Sequence, residues 1–212
     1  ASHTASLAVS GAVWDALIRQ SGAIQVFSFD ELIDVIKALL YIKPPKGIGV
    51  GLIAMTGGQS VVVSDAFSRA GLSVPILTQG SYDELASFFN IIGGSYRNPL
   101  DISANFGSLT AVRRMLSILE RDERVATVIM ELSILALVRR EQLRPGFQKE
   151  LMELLARFHD EASKPFLMIL SAVHLEAQAL ELRQQLMEKG IPSYPNFERG
   201  ANALKKVADY YS

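Results

Sequence analysis

From residue 48 onward the chain alternates short, almost uninterrupted apolar runs with amphipathic helical stretches, and this alternation restricts the fold more than any other feature. The run Val125-Ala126-Thr127-Val128-Ile129-Met130 has no polar face. A strand has that character when both sides of a parallel sheet are covered. Strands are predicted at 48–55, 74–77, 125–132, 166–170 and 193–194, and helices at 60–70, 82–89, 109–121, 146–162, 175–189 and 199–210.

Five strands in β-α-β order with right-handed crossovers predict an α/β domain built on a doubly wound, five-stranded parallel sheet of flavodoxin type. It is preceded by a helical N-terminal segment. Pro44-Pro45-Lys46-Gly47 separates the two, because paired prolines forbid a continuing helix. Before this break, helical patterns at 9–20 and 30–40 flank a candidate short strand at 23–27. Two helices and one short strand cannot enclose a core. Residues 1–43 are therefore expected to pack on something else, to form a unit distinct from 47–212, and to be less well held.

Composition removes several functions. A formal net charge of −1 in 212 residues gives no field for steering toward nucleic acid or an anionic membrane. Without cysteine there is no disulfide, thiolate metal site or cysteine nucleophile, which suits a cytoplasmic protein. His3, His159 and His174 are too far apart for a compact metal-ligand spacing, so no metal site is expected, and the last two read as solvated surface. The long uncharged stretch 48–64 is broken by Thr56-Gly57-Gly58-Gln59-Ser60 and reads as strand, turn and helix rather than a membrane span. The opening Ala1-Ser2-His3-Thr4 lacks the basic and apolar regions of a signal peptide and suggests a piece of something longer.

In a doubly wound sheet, ligands sit beyond the carboxyl ends of the strands. After the first strand, Gly57, Gly58, Gln59 and Ser60 open a helix, whose first amides lack intrahelical acceptors and favour an anion. A plain strand–helix turn is the alternative. Asn98 and Asp101, in Asn98-Pro99-Leu100-Asp101, form a possible site loop or simply local structure. Glu131 interrupts an apolar strand near its end, either as an interior charge with a partner or as a site residue. His3 stands in a run of small polar residues. An imidazole with an ordinary pKa of about 6.5 is nucleophilic near neutrality, although from the residues alone a terminal histidine in a disordered tail is the better reading. A phosphoacceptor domain would need a carboxylate cluster after the first strand, and a dinucleotide-binding domain a fuller glycine motif. Neither is present.

These residues together resemble a known family. Ser2-His3-Thr4-Ala5-Ser6-Leu7-Ala8, continuing through Val13-Trp14-Asp15-Ala16 to Arg19-Gln20-Ser21-Gly22-Ala23-Ile24, is similar to the S-H-T-G-S-L-A-G…V-Y-D-A…R-Q-A-G-V-I segment of ADP-forming (NDP-forming) acyl-CoA synthetases, of the succinyl-CoA synthetase superfamily. Met55-Thr56-Gly57-Gly58, Asp65-Ala66 and Ala70-Gly71-Leu72 resemble its N-A-G-G-P-G-V…D-A…A-G-L stretch. Asn98-Pro99-Leu100-Asp101 resembles its N-P-V-D, and Gly190-Ile191-Pro192, Pro195, Glu198-Arg199, Ala201 and Ala203-Leu204 its G-I-P…P…E-R-A…A-L ending.

The resemblance implies that residues 1–43 are the tail of a CoA-ligase domain carrying the histidine loop, and 47–212 a flavodoxin-like domain beside it. It implies part of an enzyme that interconverts acyl-CoA, ADP and phosphate with acid, CoA and ATP through an acyl phosphate and a phosphohistidine. His3 would be the catalytic phosphoryl carrier and Gly57, Gly58, Gln59 and Ser60 the phosphate-binding turn. No cofactor is expected on this segment itself. CoA, ATP or ADP, phosphate and Mg would belong to the larger enzyme, the Mg to its ATP-grasp domain. The implied partners are CoA-binding and ATP-grasp domains, acyl-CoA and phosphate, with a homo-oligomer possible and no nucleic acid or membrane. Where the family has glycine, Ala5, Val9 and Ser60 stand here, and Gln59 replaces a proline. These departures leave a second reading: a non-catalytic acyl-CoA-sensing or regulatory module of the same fold. Leu132-Ser133-Ile134-Leu135 stands near where succinyl-type relatives carry a second Gly-Gly turn.

Overall fold

The computed structural model describes residues 11–55 and 57–212, with backbone alone for Arg19 and residues 57–60. Among them, five parallel strands form one sheet: β1 (Val50–Ala54), β2 (Leu100–Asp101), β3 (Thr127–Ser133), β4 (Phe166–Ser171) and β5 (Ser193–Tyr194), in the order β2-β1-β3-β4-β5. This is the flavodoxin order. The central strands read as continuous apolar runs because both faces are covered. All of β1 is buried, as is β3 up to Leu132.

The predicted strand at 74–77 is not one. This apolar segment contains Pro75, which has no N–H to give to a ladder, and the pairing here is an isolated bridge between Gly49 and Ser73, just before β1 and just before the segment. The edge partner of β1 is the two-residue β2, paired with Ile53 and Ala54. Upstream of that pairing the Asn98 side chain takes over: its Oδ1 accepts from the Leu52 amide, and its Nδ2 donates to the carbonyls of Val50 and Pro75, each at 2.9 Å. Residues 23–27 form no strand either.

Helices α1 (Gly11–Ser21) and α2 (Phe29–Tyr41) precede the sheet, and α3 (Gly57–Arg69), α4 (Gln79–Ala86), α5 (Leu109–Arg121), α6 (Ile134–Leu143), α7 (Phe147–Glu161), α8 (Glu176–Glu188) and α9 (Phe197–Tyr211) follow. Helix α5 occupies the span its periodicity predicts, started by Ser108, whose side chain accepts from the Ala111 amide. Helix α6 fell outside the predicted spans because it starts directly from the end of β3, capped by Ser133.

Two cores flank the sheet. On one face α4 to α8 pack Leu85, Met115, Leu116, Phe147, Leu155 and Leu182 against Ile53, Met130, Leu132 and Met168. On the other, α2, α3 and α9 pack Ala38, Ile42, Val63, Phe67, Leu204 and Val207 against Leu52, Ile129 and Ile169. The partner that residues 1–43 require is thus partly within the chain. Val35 and Ala38 of α2 and Ile42, which caps it, are buried, and burying each larger aliphatic side chain contributes about 1.5–3 kcal/mol. Asp34, buried on α2, pairs with Arg199 on α9. Hydrogen bonding to that carboxylate raises the guanidinium pKa further. Helix α1 differs, leaving Val13, Trp14 and Leu17 exposed.

Candidate functional site

Because β1 lies between β2 and β3, the chain leaves β1 for one edge of the sheet and leaves β3 for the other. The crevice at their carboxyl ends is where such sheets receive ligands. Converging there are the exit of β1 at Met55, the start of α3, the loop after β2, the start of α6 and the end of β4.

Helix α3 begins at Gly57, three residues before its predicted start. Gly57, Gly58, Gln59 and Ser60 therefore make up its first turn, and these are the four residues whose amides an α-helix leaves without intrahelical acceptors. His3 lies outside the described residues, as does Thr56.

Glu131 occupies the crevice itself. It is 1% exposed, near the end of β3. Side chains alternate along a strand; Ile129 belongs to the core beneath α3 and α9, whereas Met130 and Leu132 belong to the opposite one, so Glu131 faces α3 and α9. Its Oε2 accepts from the Met55 amide at 2.9 Å, joining the two strands at the point where their order reverses. Its Oε1 has no hydrogen-bond partner among the described residues. Burial pushes the carboxyl above the usual range, opposed by the Met55 amide and then the Ser171 hydroxyl. The hydrogen-bond partner shown for this carboxylate is thus a backbone amide, and no cation among the described residues forms a salt bridge with it.

The remaining predicted residues divide. Asn98 has both ends of its amide engaged by backbone, as described above, and so serves the scaffold. Asp101 is buried at the end of β2; its Oδ1 accepts from the Ser103 amide, and the next residue, Ile102, donates to the carbonyl of Ala54. The loop after β2 is thereby tied to the end of β1, beside the crevice. His174 is exposed in the loop between β4 and α8, not in a helix. His159 is half-buried, against the solvated setting expected for it, and burial lowers its pKa.

Two features of this edge escaped the sequence. Ser171 closes β4 in register with Ser133. Two residues later Val173 sits at φ 59°. A β-branched residue in the left-handed region is strained, and glycine would take that conformation freely. No periodicity marks such a position. Among the described residues no three His, Cys, Asp or Glu side chains are grouped to hold a metal, and no helix is long and apolar enough to cross a membrane.

Comparison with known proteins agrees with this architecture. A family model described as the succinyl-CoA ligase like flavodoxin domain matches residues 1–39. The alpha subunit of the ADP-forming acetate–CoA ligase I of Pyrococcus furiosus is 30% identical across 98% of the chain, which covers 42% of that protein. The ADP-forming acetate–CoA ligase II of Archaeoglobus fulgidus is also 30% identical, across 99% of the chain and 30% of its own length. The chain thus spans less than half of these relatives. Among solved structures, one from Pyrococcus horikoshii superposes with a TM-score of 0.77 at 24% identity, covering 96% of this chain and 44% of that one. The dinucleotide-forming acetyl-coenzyme A synthetase 1 of Candidatus Korarchaeum cryptofilum, determined with phosphate and ADP, superposes at 0.76 and 21% identity, covering 98% and 42%. Those two likenesses concern the fold. Almost the whole of the chain is matched by a segment of these curated ADP-forming ligases, and over that segment it is similar to the ADP-forming acyl-CoA synthetase family.

Proposed function

We propose that this chain is the part of an ADP-forming acyl-CoA synthetase that carries a phosphoryl group on His3 and receives it at the start of α3. Residues 1–43 are the tail of the CoA-ligase domain with the histidine loop, and 47–212 the flavodoxin-like domain. The position of all five described strands after the Pro44-Pro45 break, between Val50 and Tyr194, supports that division.

In this reading phosphate attacks the thioester carbonyl of an acyl-CoA and CoA leaves as the thiol, giving an acyl phosphate. A nitrogen of His3 then displaces the carboxylic acid from phosphorus, and ADP takes the phosphoryl group from the histidine to give ATP. CoA and nucleotide are held by domains outside this chain. The contribution of residues 57–60 is electrostatic: amides and the positive end of the helix dipole, worth roughly 0.3–2 kcal/mol for an anion. One observation carries the reading. The turn that the resemblance assigns to phosphate forms the first turn of α3 at the switch point of the sheet.

Acid-labile labelling of the full-length enzyme with γ-labelled ATP tests it. Label should appear on the wild type and be lost in His3→Asn. Label persisting in the variant would move the chemistry to another residue, and none in either would favour the acyl-CoA-sensing module.

A further inference from the structure

We propose that Glu131 is a positioning residue of the oxyanion site, its protonated Oε1 donating a hydrogen bond to the anion that the first turn of α3 receives. The inference rests on the reading above, and three independent observations carry it.

The first is position. Glu131 lies on the β1–β3 seam, on the sheet face that α3 covers, and holds the Met55 amide immediately before the turn into that helix. The second is the free Oε1. A buried polar atom without a partner is costly, about 1–3 kcal/mol, and a ligand relieves that cost. The third is that no cation among the described residues pairs with Glu131. On the elements that cover this face the charged groups are paired elsewhere or exposed: on α3, Asp65 pairs with Arg69; on α9, Arg199 pairs with Asp34 and Glu198 is exposed. Beside β1, Asp101 accepts from Ser103, while α6 carries Arg139 and Arg140 and the loop after β4 carries the exposed His174. None of these is among the causes of the perturbed Glu131 titration, which are burial, the Met55 amide and the Ser171 hydroxyl.

An ionised carboxylate in this place would repel an anion, whereas a carboxylic acid donates to one. The site should therefore bind anions more tightly when Glu131 is protonated and weaken as the proton leaves. No bond to phosphorus forms or breaks at Glu131; it orients and neutralises.

The test uses sulfate, which keeps its double charge across the range studied, titrated into the 212-residue chain between pH 5 and pH 8 and followed by the amide resonances of residues 55–60. Wild-type affinity should fall by about tenfold or more with rising pH. Glu131→Gln keeps an oxygen for the Met55 amide and an N–H for the anion. It should bind with the acidic wild type's affinity and lose the pH dependence. Glu131→Leu, neutral but without a donor, should bind about tenfold more weakly than Glu131→Gln. His174→Gln should leave the wild-type profile unchanged. Sulfate bound with one profile by wild type and Glu131→Gln, or a profile abolished by His174→Gln, overturns the role of Glu131 and leaves the anion site intact. Failure of sulfate to move residues 55–60 in any variant at any pH overturns the anion site as well. Carboxyl-carbon NMR of Glu131 keeps the test open should Glu131→Leu not fold: sulfate must shift that resonance if the contact is direct.

Discussion

The two ends of the sheet differ in where their cations stand. At the amino end, Lys46, Arg124 and Lys164 line a cavity of about 390 Å³ with Pro44, Gly49 and Pro165, which on charge alone looks like the place for an anion. Two of its three cations are occupied. Lys164 Nζ donates to the carbonyls of Asp122, at 2.7 Å, and Leu119, and Arg124 to the carbonyl of Ile76. Glu120 Oε1 accepts from the Ser163 amide and hydroxyl and from the Lys164 amide, while its Oε2 is buried without a partner among the described residues. At the carboxyl end no cation among the described residues pairs with Glu131, helix amides open into the crevice, and Glu131 keeps an oxygen free. Groups satisfied within the chain build the fold, and groups left unsatisfied at the switch point are the ones available to a ligand.

If the amino end is scaffold, changes there should cost stability most. A Cβ on Gly49 would lie 2.2 Å from the carbonyl oxygen of Arg124. Backbone cannot move aside as a flexible side-chain tip can. Gly49→Ala should destabilise the chain by about 3 kcal/mol, read from denaturant midpoints. A loss below about 1 kcal/mol would show that this pole yields more than the comparison allows.

Glu131→Gln should act in the other direction. The folded-state pKa of Glu131 is raised by burial, so the folded chain holds its proton to higher pH than the unfolded chain, and wild-type stability falls as pH climbs from the ordinary carboxylate range toward the folded value. The variant should match wild type below that range and become more stable above it. Parallel stability curves would mean that burial imposes no penalty on the charge.

The smallest effect belongs to Val173→Gly. Relieving the left-handed conformation returns about 1–2 kcal/mol, and glycine's freedom in the unfolded chain takes back about 0.4–1 kcal/mol. A net gain of about 0.5–1 kcal/mol in thermal unfolding is expected, and a loss would show that the valine side chain contributes more than its strain removes.

The fold was legible where packing alone decides it. The apolar runs of β1, β3 and β4 and the periodicity of α5 are direct consequences of burial. It was illegible where one side chain or one dihedral decides. Residues 74–77 look like a strand until Asn98 is seen holding that edge with its amide, and β2 is too short to leave a pattern. Val173 reads as an ordinary strand-forming residue; only its φ reveals a position suited to glycine. The turn at 57–60 was found from its glycines and Glu131 from its intrusion into an apolar strand. What Glu131 lacks could not be read, because a missing partner is a property of three dimensions.

The most direct test of this division is to titrate inorganic phosphate into the chain and watch amide resonances at both ends of the sheet. The account predicts millimolar binding that moves Met55, residues 57–60, Glu131 and Ser171 while Gly47, Gly49, Arg124 and Lys164 stay still. Phosphate that instead moves the Lys46–Arg124–Lys164 cavity, with the carboxyl end unmoved, would contradict it.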